Sequence, residues 1–215
     1  MDWAKFVADC AQTSGVLRID ELARDLKISA VAVRRALARQ QNRDLVERLN
    51  DNLFINRLTP DFSGRELINV LRPNSYLSLE AVLRDSGLST QSPLAFTCVT
   101  CDRPGHYRSR LLSLTYRRIA PHLFWGFHPK RTRYGRYNLA EPEKALLDWI
   151  YLLRQEGSIV PTDELDLTPL DTAKLLQYSE KFPKPVRQQV LELVATRNAA
   201  GTISDAPPGH AGSVD

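Results

Sequence analysis

The sequence predicts an α+β protein of two units, and three observations support this fold class. Residues 3–57 have the periodicity of a small helical unit that ends in a hairpin. A region of short apolar runs separated by Pro and Gly follows, and helical periodicity returns at Pro142. The chain of 215 residues, with 43% hydrophobic and 25% charged residues, is long enough for units of roughly 70 and 140 residues.

The first unit contains three predicted helices. Apolar residues recur at helical spacing over 3–10, which indicates the first helix. Asp20 can cap a second helix over 21–26 and Ser29 a third over 30–41, because both side chains can accept hydrogen bonds from free backbone N–H groups.

The second and third helices have the spacing of a helix-turn-helix. Ala23 is small where the helices would cross, Ile28 is apolar in the turn, and Val33 anchors the third helix. Apolar runs at 45–49 and 53–55 flank three turn residues and predict a hairpin that would serve as a wing. The sequence therefore predicts an N-terminal winged helix-turn-helix that binds DNA, followed by a larger mixed α/β domain.

The third helix supplies most of the candidate DNA-binding residues. Arginine suits guanine edges and phosphates because its planar fork donates two parallel hydrogen bonds. The candidates are Ser29, Ala30, Val31, Ala32, Arg34, Arg35, Arg39 and Arg43, with Asn50 and Asn52 at the hairpin turn. The alternative is that these arginines form only the solvated face of a plain three-helix bundle.

The predicted DNA-binding domain covers residues 1–58, and the larger domain covers 62–197. The predicted elements of the larger domain are helices over 63–71 and 79–86, strands over 94–101, 107–118, 123–127 and 133–139, then helices from Pro142, over 170–180 and over 185–196. Residues 198–215 are rich in Gly, Ala, Pro and Ser and predict a disordered tail.

Charge is unevenly distributed along the chain. The net charge of +4 is modest, but residues 61–140 hold 12 Lys and Arg against 5 Asp and Glu, whereas residues 141–215 hold 7 against 12. A second candidate basic surface lies in the basic region and consists of Lys130, Arg131, Arg133 and Arg136. This surface could bind nucleic acid, dock an acidic protein or be the solvated edge of a sheet.

Three features of the sequence indicate a cytoplasmic protein. No apolar stretch approaches the ~20 residues that a membrane-spanning helix needs. The amino terminus lacks the basic and then apolar order of a secretory signal. Three cysteines are an odd number, which favours reduced thiols over a disulfide framework. We therefore expect no membrane partner.

A zinc site is weakly suggested by Cys98 and Cys101, with His106 and either His122 or His128 as further ligands. Residues three apart in an extended strand point to opposite faces, so both thiols would reach one metal only across a tight turn. Two strand thiols without a metal are the better interpretation.

A metal-dependent nuclease is weakly suggested by Glu141, Glu143, Lys144 and Asp148. Such sites hold an acidic residue two positions before the lysine on a strand, and here that position is Pro142 at a predicted helix start. The helix dipole alone explains acidic residues there. Other catalytic signatures are missing from the sequence, so we predict a protein that is not an enzyme and that has no cofactor, metal or catalytic residue.

Two longer patterns resemble a known family. Residues 76–88 carry Tyr-x-Ser, Ala-x-Leu and Gly-Leu in that order, and residues 140–148 carry Ala-x-Pro-Glu-Lys-Ala-Leu-x-Asp. With the winged helix-turn-helix before them, these patterns resemble the AbiEi family of antitoxins and transcriptional regulators over about residues 2–196.

The resemblance implies an antitoxin of a type IV toxin–antitoxin system, a phage-defence module whose toxin is a nucleotidyltransferase-like protein. In this family the winged domain binds inverted repeats in double-stranded DNA upstream of its own operon and represses transcription. Residues 62–197 would counteract the toxin, and no stable complex is required. The alternative is a standalone transcriptional regulator whose C-terminal domain senses a ligand or partner.

Overall fold

The computed structural model describes residues 1–90, 95–161 and 165–204, with side chains up to residue 197. The first unit consists of α1 (Trp3–Cys10), β1 (Val16–Arg18), α2 (Ile19–Asp25), α3 (Ala30–Gln41), β2 (Val46–Arg48) and β3 (Leu53–Asn56). The second unit is larger and mixed, so the predicted α+β class is confirmed. No helix among the described residues has the length and apolarity needed to cross a membrane.

The first unit packs its helices against a small antiparallel sheet with strand order β1-β3-β2. β3 lies in the centre, with Leu17 opposite Phe54 on one side and Arg48 opposite Phe54 on the other. Val7, Val33 and Phe54 are fully buried in the shared core. β1 was not predicted, because three residues are too few to show an alternating pattern.

Helix starts follow local capping chemistry in α1 and α3 but not in α2. The Ser29 side chain accepts a hydrogen bond from the Ala32 N–H at 3.2 Å and begins α3 where predicted. The predicted Asp20 cap is wrong, because α2 begins earlier, with Arg18 in the cap position and no side-chain cap bond. Asp20 lies in the first turn instead, where a carboxylate is favoured by the helix dipole.

The second unit contains one six-stranded sheet with order β6-β7-β5-β4-β9-β8. Its elements are α4 (Leu67–Leu71), β4 (Ser75–Leu77), α5 (Leu79–Asp85), β5 (Phe96–Thr100), β6 (Gly105–Arg108), β7 (Ser113–Arg118), a 3₁₀ turn (Pro121–Leu123), β8 (Phe127–Thr132), β9 (Gly135–Ala140), α6 (Pro142–Gln155), α7 (Thr172–Ser179) and α8 (Lys184–Ser204). β5 runs parallel to β7, and β4 runs parallel to β9.

Several predicted strands of this unit have different bounds. The single strand expected over 107–118 is an antiparallel pair, β6 and β7. The strand expected over 123–127 is wrong, since a 3₁₀ turn occupies 121–123 and β8 begins only at Phe127. β8 continues through Pro129, which an edge strand tolerates because it needs no inward N–H there.

The helix predicted from residue 63 begins at Leu67. The Ser63 hydroxyl accepts from the Arg65 N–H at 3.3 Å and donates to the Glu66 carboxylate at 3.4 Å, so it closes the turn that precedes the helix. At the other end of the chain, α8 runs to Ser204, beyond the predicted start of the tail at 198. Residues 205–215 of that predicted tail lie outside the described residues.

The two units share apolar and polar contacts. Ile55 of β3 belongs to the core of the second unit, and the Phe62 ring packs so closely on Gly15 that an added Cβ would lie 2.2 Å from it. The backbone N–H of Arg110 donates to Glu47 at 2.8 Å, and its guanidinium lies 2.9 Å from Asp44. The first unit is therefore docked on the second through the side of β2 and β3.

Candidate nucleic-acid interface

Helix α3 buries one stripe and exposes the other. Val33, Ala36, Leu37 and Gln40 are buried at i, i+3, i+4 and i+7, which is the spacing of one helical face. This stripe packs on the core that contains Val7 and Phe54. Packing therefore fixes which side of α3 is presented to solvent.

The predicted DNA-binding residues of α3 lie on the exposed side. These exposed residues are Ser29, Ala30, Val31, Ala32, Arg34, Arg35 and Arg39, with Arg43 just after the helix. Val31 is 53% exposed although it is apolar. Small and apolar side chains beside arginines can contact thymine methyl groups while the guanidinium groups read guanine or bind phosphate.

The arginines of this face are not neutralised. In the described part of the chain, Arg34, Arg35, Arg39 and Arg43 form no ion pair, and Arg34 donates one hydrogen bond, to the Asp51 carbonyl oxygen at 3.2 Å. The acidic residue nearest in sequence to Arg43, Asp44, is instead paired with Arg57 and Arg110. The described chain thus supplies no carboxylate partner for these four arginines.

The two asparagines at the hairpin turn hold the turn together. The Asn50 side-chain oxygen accepts from the backbone N–H groups of Asn52 and Leu53 at 2.9 and 3.0 Å. Asn52 donates to the Asp20 carboxylate at 2.8 Å and accepts from the Asp20 N–H at 3.2 Å. The bond from Asn52 holds the pKa of Asp20 below its usual range. Asn50 therefore closes the turn internally and Asn52 ties it to α2, and Asp51, paired with Arg48, is exposed at its tip.

The turn between α2 and α3 is tight. The Ile28 N–H donates to the Ala23 carbonyl at 3.1 Å, and Lys27 adopts a left-handed φ of 54°. Val33 is fully buried, as the spacing predicted, whereas Ile28 is 40% exposed. Val33 is thus buried as predicted, Ala23 is partly buried against the same core, and the apolar turn residue is only partly covered.

The second basic surface lies on the hairpin β8–β9. β8 is an edge strand, and Lys130, Arg131, Arg133 and Arg136 are all exposed. Arg131 stands directly opposite Arg136 across the ladder. Like charges in that position are destabilising, and none of the four cations has an ion-pair partner among the described residues.

The tip of this hairpin is anchored to the linker between the two units, residues 59–61. The Tyr134 hydroxyl donates to the Pro60 carbonyl at 2.7 Å, and its ring lies 6.1 Å from the Phe62 ring. The Arg133 guanidinium covers the Tyr134 ring at 5.4 Å. The linker thus ties the basic hairpin to the end of the first unit.

Two of the residues that weakly suggested a nuclease, Lys144 and Asp148, lie in a buried cluster of polar side chains. Lys144 and Asp148, one turn apart on α6, are both 0% exposed and ion-paired. Tyr76 and Ser78 each donate a hydrogen bond to Asp148 at 2.9 Å, and Lys144 donates to the Tyr76 hydroxyl at 2.9 Å. Burial lowers the pKa of the Lys144 ammonium and raises that of the Asp148 carboxyl, while their mutual attraction opposes both shifts.

The other acidic residues at the start of α6 are also paired with cations of the protein. Lys174 of α7 lies 3.1 Å from Glu143 and 3.4 Å from Glu141. Tyr178 donates to Glu141 at 2.7 Å. These contacts join α6 to α7 and separate the two glutamates from the buried Asp148.

The cysteines and histidines are dispersed. Cys98 is fully buried in β5, where burial raises the pKa of its thiol, and Cys101 is half-buried beyond the end of that strand. The His106 ring lies 3.1 Å from the Thr115 hydroxyl across β6 and β7. In the described ranges, no three His, Cys, Asp or Glu side chains gather in a way that could hold a metal ion.

The chain matches no protein-family model, and no curated protein sequence is significantly similar to it.

Proposed function

We propose that residues 1–58 form a winged helix-turn-helix that binds double-stranded DNA through α3, with the β2–β3 hairpin as its wing. The observation that carries this proposal is the exposed face of α3, whose three arginines, together with Arg43 just after the helix, are free of ion pairs. Exposed arginines are often unpaired, so the support comes from their grouping on one helix face beside small side chains and next to the hairpin turn. Arginine forks on a helix of this kind suit the major groove.

The strand order β1-β3-β2 and the tight turn after α2 support the same proposal. The hairpin turn is held rigid by Asn50 and Asn52, so a wing would approach DNA as a fixed element. The Arg34 contact with Asp51 links this wing to α3. We propose that Asn50 and Asn52 act mainly by positioning the turn for phosphate contact.

We further propose that the protein represses its own operon and, through residues 62–197, acts as a type IV antitoxin of the AbiEi kind against a nucleotidyltransferase-like toxin. The resemblance of residues 76–88 and 140–148 supports this part. In the structure these two segments meet, since Tyr76 and Ser78 contact Lys144 and Asp148. The resembling residues therefore form one interior cluster that would maintain the antitoxin domain.

A reporter experiment tests the repressor proposal. The region upstream of the gene is fused to a reporter, and the full-length protein is supplied from a second plasmid. We expect repression that the Arg34→Ala/Arg35→Ala double variant loses. Lys5→Ala, which removes an exposed cation from α1, is the matched control and should repress fully. Equal repression by the double variant would overturn the proposal.

A co-expression experiment tests the antitoxin proposal. The product of the adjacent gene is induced with and without the full-length protein, and cell growth is measured. We expect toxicity that the protein relieves, and relief that persists in the Arg34→Ala/Arg35→Ala variant when the toxin is expressed from an unrelated promoter. A neighbouring product that is not toxic would leave the standalone regulator as the function.

A further inference from the structure

A cleft of about 610 Å³ lies where strands of the six-stranded sheet end, and Arg72, Arg103 and Arg118 line it. Parallel strands β5 and β7 end together there, with Thr100 opposite Arg118. The antiparallel strand β4 begins at the same end of the sheet, because Ser75 pairs with Thr100. Three arginines that are distant in sequence therefore converge beyond the carboxyl ends of parallel strands, which is where open sheets commonly bind ligands.

The arginines of the cleft are unpaired, unlike their neighbours. Arg117, one residue before Arg118, is paired with Glu156 at 2.6 Å. Among the described residues, Arg72, Arg103 and Arg118 form no ion pair, although Asp102 also lines the cleft. Three clustered guanidinium groups repel one another, and a bound anion would relieve that repulsion.

Arg72 is held in place by packing and not by a carboxylate. Its guanidinium carbon lies 5.2 Å above the ring of buried Tyr116. Its terminal Nη2 faces Gly105 so closely that a Cβ there would lie 2.5 Å from it. Its Nε is buried and has no hydrogen-bond partner among the described atoms. The guanidinium is thus ordered before any ligand binds, and its donors are not consumed by an internal acid.

We propose that this cleft binds a phosphate group. Three planar forks that approach from three separate segments suit a tetrahedral dianion, whereas a carboxylate can be satisfied by a single fork. A second cleft of about 430 Å³ shares Arg118 and is lined by Pro104, Tyr116 and Leu152, which leaves room for the organic part of a phosphoester. The phosphate can belong to a small phosphoester or to a nucleic-acid backbone.

Calorimetric titration of the full-length protein tests this site. The probes are adenosine monophosphate, adenosine as the uncharged match, and a short single-stranded oligonucleotide. We expect the monophosphate to bind and adenosine not to bind. Arg103→Gln and Arg118→Gln, both at exposed positions, should each weaken binding by about tenfold or more, because each removes a charge-assisted contact.

Two further variants make the test specific. Gly105→Ala displaces the Arg72 guanidinium without removing a charge, and we expect it to weaken binding as Arg118→Gln does. Lys184→Gln removes an exposed cation from the start of α8 and should leave binding unchanged. The Arg34→Ala/Arg35→Ala variant should also bind the monophosphate normally, so failure of the DNA-binding proposal and failure of this site are distinguishable.

Each outcome decides the proposal. Binding of the oligonucleotide alone, lost in Arg103→Gln and Arg118→Gln, supports a phosphate site that takes nucleic-acid backbone. No binding of any probe at millimolar concentration would overturn the site. Equal weakening by Lys184→Gln would also overturn it, because the attraction would then be the general positive charge of the domain.

Discussion

Cationic side chains lie in opposite environments in the two units. On α3, Arg34, Arg35 and Arg39 are exposed, and no carboxylate pairs with them among the described residues. On α6, Lys144 is fully buried and held by Asp148 and Tyr76. Contacts inside the protein therefore account fully for Lys144, whereas the described chain supplies no ion-pair partner for the arginines of α3. We propose DNA as the external partner of these arginines.

The largest effect is expected from breaking the buried pair. Asp148→Ala leaves Lys144 charged and unpaired in the core, which costs about 3–5 kcal/mol in the free energy of unfolding. Urea denaturation of the purified variant measures this loss. Lys130→Ala, an exposed cation without a partner, is the control and should change stability by less than about 0.5 kcal/mol. Similar losses of stability in both variants would contradict the claim that the buried ion pair contributes more to stability than an exposed cation.

A double variant sharpens the same prediction. Lys144→Met with Asp148→Leu removes both charges and replaces them with apolar groups of similar size. Buried ion pairs replaced in this way often lose little stability. We expect the double variant to recover most of the stability that Asp148→Ala loses. No recovery would show that the hydrogen bonds of Tyr76 and Ser78 to Asp148, and not the ion pair, hold α6 in place.

The next effect concerns base recognition by α3. Arg35→Ala should cost about 1–3 kcal/mol in binding to the upstream DNA if the guanidinium reads a base. Affinity for a scrambled duplex should change much less. Fluorescence anisotropy with both duplexes measures the difference, and equal losses on the two would contradict base recognition by Arg35.

Phosphate contact predicts a different signature for Arg43. This residue lies just beyond α3 and is exposed. Arg43→Ala should weaken binding to all duplexes alike and reduce the salt dependence of binding by about one unit of slope. The same anisotropy assay at several salt concentrations checks this. A loss confined to the upstream sequence would assign Arg43 to base recognition.

The smallest effect concerns the paired arginines of the second unit. Partial burial raises the pKa of Asp85, but the hydrogen bond from Arg84 and the charge of Arg65 outweigh it, so the pKa lies below its usual range. The stabilisation is present above the unfolded-state pKa near 4 and is lost as pH falls through the lower folded-state pKa. Partly exposed pairs contribute up to about 1 kcal/mol.

Asp85→Asn should therefore lower stability slightly at pH 7 and have little effect at pH 2. Denaturation curves at the two pH values measure the change. A variant that loses as much stability at pH 2 as at pH 7 would show that packing, and not the ion pairs, explains the effect.

Local chemistry made the first unit largely predictable. The bounds of α3 follow from one cap and one apolar stripe, both of which depend on residues within a few positions of each other. The bounds of β1 and the position of Asp20 could not be predicted from local chemistry. Both depend on contacts with β3 and Asn52, which are distant in sequence. The exposed arginine face was predictable, and the structural use of Asn50 and Asn52 was not.

The second unit was less predictable because its key contacts are long-range. A Lys and an Asp four residues apart are typical of a solvated helix, and here long-range contacts bury them, among them those of Tyr76, Ser78 and Trp125. β4 has three residues and gains its place from β5 and β9. Arg72, Arg103 and Arg118 share no local pattern, and the pairing of β5 with both β4 and β7 brings them together.

The most direct test of the central claim is a binding titration of the full-length protein against its own upstream DNA and a scrambled duplex, at two salt concentrations, beside the Arg34→Ala/Arg35→Ala variant. We predict tight binding to the upstream DNA that exceeds binding to the scrambled duplex at both salt concentrations and that the variant loses. Equal, weak and salt-sensitive binding to both duplexes would contradict the claim that α3 is a DNA-recognition helix.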